Sequence, residues 1–78
     1  MKVRVIDKNY IELERSEIIV ELTVVINYWL FNVTKVYRKV HGEYFLYKDG
    51  QYTTLSKKRS MDVAKWYKLP EDSVYKVK

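Results

Sequence analysis

The sequence predicts a small α+β domain of order β-β-α-β-β-α-β with an antiparallel sheet, spanning residues 1–78. Three observations carry that prediction. The chain has 78 residues, which bury only about 60% of their unfolded surface and support one modest core. Eleven Val, five Ile and eight Tyr are residues that suit a pleated, half-buried surface. Asp49-Gly50 stands between two β-prone runs, the dipeptide that a type I′ hairpin turn demands.

The elements follow in order. Lys2 to Ile6 alternates, with Val3 and Val5 on one face. Asp7-Lys8-Asn9 reads as a turn, and Tyr10 to Glu14 alternates again. Together they predict an N-terminal hairpin with a three-residue connection. Residues 16 to 41 contain no Gly or Pro. Their apolar residues Ile18, Ile19, Leu22, Val25, Ile26, Trp29, Leu30, Val33, Val36, Tyr37 and Val40 recur at spacings of three and four, one face of a helix. Ser16 would cap its start, with Glu17 and Glu21 near the positive end of the dipole. Lys35, Arg38, Lys39 and His41 would sit near the negative end, with Gly42 at C′. The same stretch is dense in β-branched residues, and Ile18, Val20, Leu22, Val24, Ile26 and Tyr28 also alternate as a strand would. The alternative is two strands broken near Asn27 to Asn32.

Glu43 to Lys48 and Gln51 to Leu55 predict a hairpin across Asp49-Gly50. Lys48 then faces Gln51, Tyr47 faces Tyr52, and Phe45 faces Thr54. Ser56 to Arg59 reads as a basic connector. Ser60 would cap a helix over Met61 to Leu69 that Pro70 stops. Ser73 to Val77 alternates and predicts an edge strand.

In the two-strand alternative, Val33 to Leu55 becomes a three-stranded meander followed by a short helix, turning at His41-Gly42 and Asp49-Gly50. That layout resembles the small sheet-plus-helix DNA-binding arms of some phage integrases. The resemblance covers about half the chain, rests on element order, and implies a mainly β architecture.

Composition excludes several functional classes. With no Cys, disulfide scaffolds and thiolate metal sites are out. One His, His41, leaves no second imidazole for a metal pair, and its place beside Gly42 suits a cap or solvent. Ser16, Ser56, Ser60 and Ser73 have no base at a recognisable spacing and read as caps and turns. Glu12, Glu14, Glu17 and Glu21 read as a solvated face and helix-start charges. No phosphate-loop pattern exists. No enzyme, metal or cofactor is therefore expected. No signal-peptide run opens the sequence, and Ile18 to Phe31 is too short and polar to span a bilayer of about 20 apolar residues. An intracellular, cytoplasmic protein without a membrane partner is expected. The Gln-poor, Lys- and Tyr-rich composition suits a thermophile or a small viral or phage protein equally.

Charge distribution is the stronger functional signal. Residues 1 to 32 carry a net charge of −1 and residues 33 to 78 carry +6. The basic residues of the second part are interleaved with aromatic ones. Cations for phosphates beside aromatic faces for bases suit single-strand or sequence-tolerant nucleic-acid binding. Arg38, Lys39, Lys57, Lys58, Arg59 and Lys65 are the candidate phosphate contacts. Tyr44, Tyr47, Tyr52 and Trp66 are the candidate stacking residues. The competing class is a protein-interaction module. A 16–41 helix would carry Val20, Val24, Tyr28 and Phe31 off its main stripe, a second apolar side for a homodimer or a host protein to cover. A small viral protein that inhibits a host factor would have this character.

Overall fold

The computed structural model describes residues 1–13 and 17–76. Six strands and one helix follow one another as β1 (Lys2–Glu12), β2 (Ile18–Asn27), β3 (Asn32–Val40), β4 (Glu43–Lys48), β5 (Gln51–Thr54), α1 (Lys57–Tyr67) and β6 (Val74–Lys76). The strands form one sheet in the order β5-β4-β3-β2-β1-β6, every neighbour antiparallel. Strands β1 to β5 are a simple meander. The chain then crosses one face of the sheet as α1 and returns as β6 at the opposite edge.

The architecture is mostly β, and the helix predicted over residues 16 to 41 is absent. The segment is β2 and β3, broken at residues 28–31, as the two-strand alternative has it. Leu22, Val24 and Ile26 are buried on one face, while the helical stripe would also need Ile18, Trp29 and Leu30 inside. Those three are 61%, 95% and 85% exposed. Pairing decides the matter: β2 bonds to β1 on one side and β3 on the other, and β-branched side chains fit that surface without the rotamer loss a helix imposes. Ser16, the predicted cap, lies outside the described residues. Gly42 is no helix terminus. It shares a tight turn with His41, at φ of +81° and +50°, the left-handed pair that a type I′ hairpin requires.

The predicted N-terminal hairpin is also replaced. β1 runs unbroken through Asp7-Lys8-Asn9, and Ile6 is the extra residue of a β-bulge between Val5 and Asp7. The polar trio satisfies itself locally. The Asp7 carboxylate accepts from the Lys8 amide and from the Asn9 side chain, each at 2.8 Å. The bulge lets turn-forming residues stay in a strand.

The second hairpin has the predicted register, with Lys48 opposite Gln51, Tyr47 opposite Tyr52 and Phe45 opposite Thr54. Asp49 and Gly50 take φ of +52° and +76°. Together, Asn32 to Tyr67 form the three-stranded meander and helix that the resemblance implies. α1 begins four residues before the predicted Met61. Ser56, not Ser60, is the cap, and its hydroxyl accepts from the Arg59 amide at 3.2 Å. The helix ends before Pro70. The expected last strand is present as β6, at the β1 edge.

One face of the sheet is covered by α1. There Val3, Val5, Leu22, Val24, Ile26 and Tyr37 meet Val63 and Trp66 in the core, flanked by Tyr44, Leu46, Tyr67 and Tyr75. Tyr67 fastens the helix to the sheet: its hydroxyl proton is shared between the carbonyl oxygens of Val20 at 2.8 Å and Tyr37 at 3.1 Å. No other element covers the opposite, open face among the described residues.

Candidate nucleic-acid interface

Strand alternation decides which side chains reach the open face, because successive residues point to opposite sides. Tyr37 and Leu46 are paired and face the core. Their neighbours Val36, Arg38, Phe45 and Tyr47 therefore face outward, together with Tyr52 and Thr54 across the Asp49-Gly50 hairpin. The three rings form a cluster. Phe45 and Tyr52 meet edge to face with centroids 5.8 Å apart, and Tyr47 and Tyr52 lie 5.2 Å apart. Tyr52 is 46% exposed.

Arg38 holds the cluster together. Its guanidinium carbon lies 3.6 Å from the Tyr47 ring centre. Nη1 donates to the Tyr52 hydroxyl at 3.0 Å and Nε donates to Glu21 on β2 at 2.8 Å. Its side chain is only 15% exposed. Burial works against its charge, but the hydrogen bonds to Tyr52 and Glu21 outweigh it and push its pKa upward. Arg38 thus stays charged and already has a carboxylate partner. It orders the rings, and the Glu21 carboxylate already offsets its charge.

The other predicted residues divide between the two faces. Lys39 is on the covered side with its ammonium 5.5 Å from the Tyr44 ring. Tyr44 packs on Tyr67 with centroids 5.1 Å apart. Both are set apart from Tyr47 and Tyr52. Trp66 is 0% exposed and offers no ring face to a base, because a ring of that size supplies the centre of the small core. Arg59 lies against it, its guanidinium carbon 5.8 Å from the Trp66 ring, with one terminal nitrogen buried. Arg59 therefore supports the core. Lys65 is exposed on the last turn of α1, on the helix side of the sheet. Lys57 and Lys58 are exposed at the start of α1, where the chain leaves β5.

Two lysines outside the predicted set lie on the same strands but on the helix side, opposite the rings. β4 pairs with β3 only from Tyr37 to Val40, so the first half of β3 has a free edge. A recess there is lined by Thr34, Lys35, Val36, Leu46, Tyr47 and Lys48. It gathers Lys35, Lys48 and Asp49 at this edge of the sheet. Phe45 is the third ring. The Asp49-Gly50 register alone, extended one pair, puts Phe45 on the same face as Tyr47 and Tyr52. Lys35 needed the β3–β4 pairing to be found.

Of the four glutamates near the start of the chain, Glu14 lies outside the described residues, and Glu12, Glu17 and Glu21 form no cluster. Glu17 pairs with His41, Glu21 pairs with Arg38, and Glu12 is exposed. Among the described residues no group of three His, Asp or Glu side chains could hold a metal ion, and no helix is long and apolar enough to cross a membrane. Comparison with protein-family models, curated proteins and solved structures finds no match to this chain.

Proposed function

We propose that the open face of β3, β4 and β5 binds nucleic acid, single-stranded or without sequence preference. The observation that carries this reading is the Phe45–Tyr47–Tyr52 ring cluster, ordered by Arg38, on a sheet face that no helix or further strand covers among the described residues. Rings and guanidinium planes accept any base by stacking, since every base has a π-face. Tyr52 is the most exposed of the three and takes the central base, with Phe45 beside it. Lys57 and Lys58, where the chain leaves β5, meet the backbone phosphates beside it.

The test is fluorescence anisotropy of a labelled mixed-sequence single-stranded oligonucleotide at about 50 and 200 mM salt, where counterion release makes affinity fall steeply. Tyr52→Ala is expected to weaken binding about tenfold or more, as stacking of one base is worth about 1–3 kcal/mol. Absence of binding at the lower salt would sink the reading. The protein-interaction reading draws instead on Trp29, Leu30 and Phe31, whose exposure is unusual for a small monomer. A specific protein partner that is lost with Trp29→Ser would favour it.

A further inference from the structure

The turn between β2 and β3 exposes three large apolar side chains in a row. Trp29 is 95% exposed, Leu30 85% and Phe31 60%. The turn is tight: the Tyr28 amide donates to the Phe31 carbonyl at 2.8 Å, so Trp29 and Leu30 are the two residues at its tip. Phe31 leans back on Tyr28, with centroids 5.0 Å apart. The other hairpin turns use His41-Gly42 and Asp49-Gly50 at positive φ, and neither Trp29 nor Leu30 adopts it. Two-residue hairpins prefer Asn-Gly or Asp-Gly. Turn geometry therefore gives no reason for Trp-Leu at this place.

The tip stands at one end of the molecule. Six strands at about 4.8 Å spacing make a sheet roughly 24 Å wide, matching the 24 Å extent, so the 42 Å extent runs along the strands. Four lysines occupy the same end. Lys2 is opposite Asn27 on β2 and Lys76 is opposite Lys2. Both alternate with core residues and lie on the open side. Lys35, opposite Val24, and Lys48, two residues past Leu46, lie on the helix side. Asp49 in the β4–β5 turn follows Lys48, and Asp72, whose amide donates to the Val5 carbonyl, stands at the level of Lys35 across the sheet. Cations thus flank the apolar tip on both faces of the sheet. A groove on another protein would engage one side of such a tip. A plane that the tip enters end-on engages all four lysines at once.

We propose that this end of the sheet docks on an anionic lipid surface, with Trp29 and Leu30 entering the interface and Lys2, Lys35, Lys48 and Lys76 at the headgroup level. Trp is suited to that boundary, since its ring is apolar with one polar edge. Lysine stems reach along an apolar surface while their ammonium groups stay with anionic headgroups. This is a peripheral contact that requires no spanning segment, and it uses residues distinct from the Phe45–Tyr47–Tyr52 rings.

Vesicle sedimentation tests it, with phosphatidylcholine alone against phosphatidylcholine containing phosphatidylserine at about 0.15 M salt. The full chain is expected to partition only onto the anionic vesicles. Tryptophan emission should shift to shorter wavelength on binding, and the shift reports Trp29 because Trp66 is already buried. The double variant Trp29→Ser/Leu30→Ser should lose at least tenfold in partitioning with an unchanged circular dichroism spectrum and unchanged oligonucleotide binding. Lys2→Gln with Lys76→Gln should weaken it severalfold. Three results would overturn the proposal. One is no partitioning of the full chain. Another is equal partitioning of the Trp29→Ser/Leu30→Ser variant. The third is an emission shift produced by an oligonucleotide, by a protein partner or by self-association, and not by vesicles.

Discussion

Lys8 shows how a residue placed in a strand can serve a helix. Its ammonium donates to the carbonyls of Tyr67 at 2.6 Å and Leu69 at 3.0 Å, groups that the end of α1 leaves without intrahelical partners. A cation there also meets the negative end of the helix dipole. Lys8→Met keeps the stem and removes the donor. It is expected to cost about 1–2 kcal/mol in urea unfolding, since part-buried carbonyls lose charged hydrogen bonds. Tyr67, whose carbonyl accepts from Lys8, predicts a pH dependence. Burial raises its pKa above the ordinary value of 10.0, and burial raises that of Tyr37 as well. The folded chain therefore holds protons that the unfolded chain releases near pH 10. Stability from these groups is complete below that pH and falls as pH rises through and beyond it. Denaturant midpoints from about pH 8 to 11 should be flat and then decline, and Tyr67→Phe should make the decline shallower while lowering the plateau.

At the scale of the element, α1 begins against its own electrostatics. Its first three residues are Lys57, Lys58 and Arg59, and no acidic residue occupies the first turn. Each cation opposes the positive end of the dipole, at a cost of a few tenths of a kcal/mol. Arg59 recovers part of this through Trp66. Lys57 and Lys58 are exposed and recover nothing from the fold, as residues held for an anionic partner would. The variant Lys57→Glu/Lys58→Glu should raise stability by about 1 kcal/mol, read by thermal melting, and should weaken oligonucleotide binding at the same time. A gain in stability with unchanged binding would remove these two lysines from the interface. The β2–β3 turn shows a similar conflict, with Trp29 and Leu30 where Asn-Gly would suit the backbone better.

Across the whole molecule, two exposed lysines set the scale of the salt effect. If Lys57 and Lys58 each neutralise one phosphate of a single strand, the logarithmic salt slope is about −1.4. Affinity should then fall roughly sevenfold between about 50 and 200 mM salt. A slope near zero would show that the rings bind without phosphate contacts. Part of this interface was legible in the chain. Asp49-Gly50 alone determines that Tyr47 faces Tyr52 and Phe45 faces Thr54, because a two-residue turn leaves one register. The concentration of cations after residue 32 was equally plain. Which aromatic residues remain outside was not legible. Trp66 and Tyr52 look alike as stacking candidates in a linear chain, yet one is at the centre of the core and the other on the open face.

The residues themselves therefore determine a one-core, cysteine-free basic chain, the second hairpin and its register, a helix stopped by Pro70, and a closing edge strand. Each depends on local chemistry: a turn that needs positive φ, a ring without an amide proton, an alternation of period two. The path of residues 16–41 was decided only by tertiary structure. Ile18, Leu22 and Ile26 are four apart, which satisfies a helical stripe and a strand face together, so spacing alone favours neither. The hydrogen bonds that choose the strand come from β1 on one side and β3 on the other. The same long-range pairing carries β1 through Asp7 to Asn9 by a bulge and leaves Trp29 and Leu30 at the tip. Turn and cap signals act over a few residues, whereas a strand gains its partners from elsewhere in the chain.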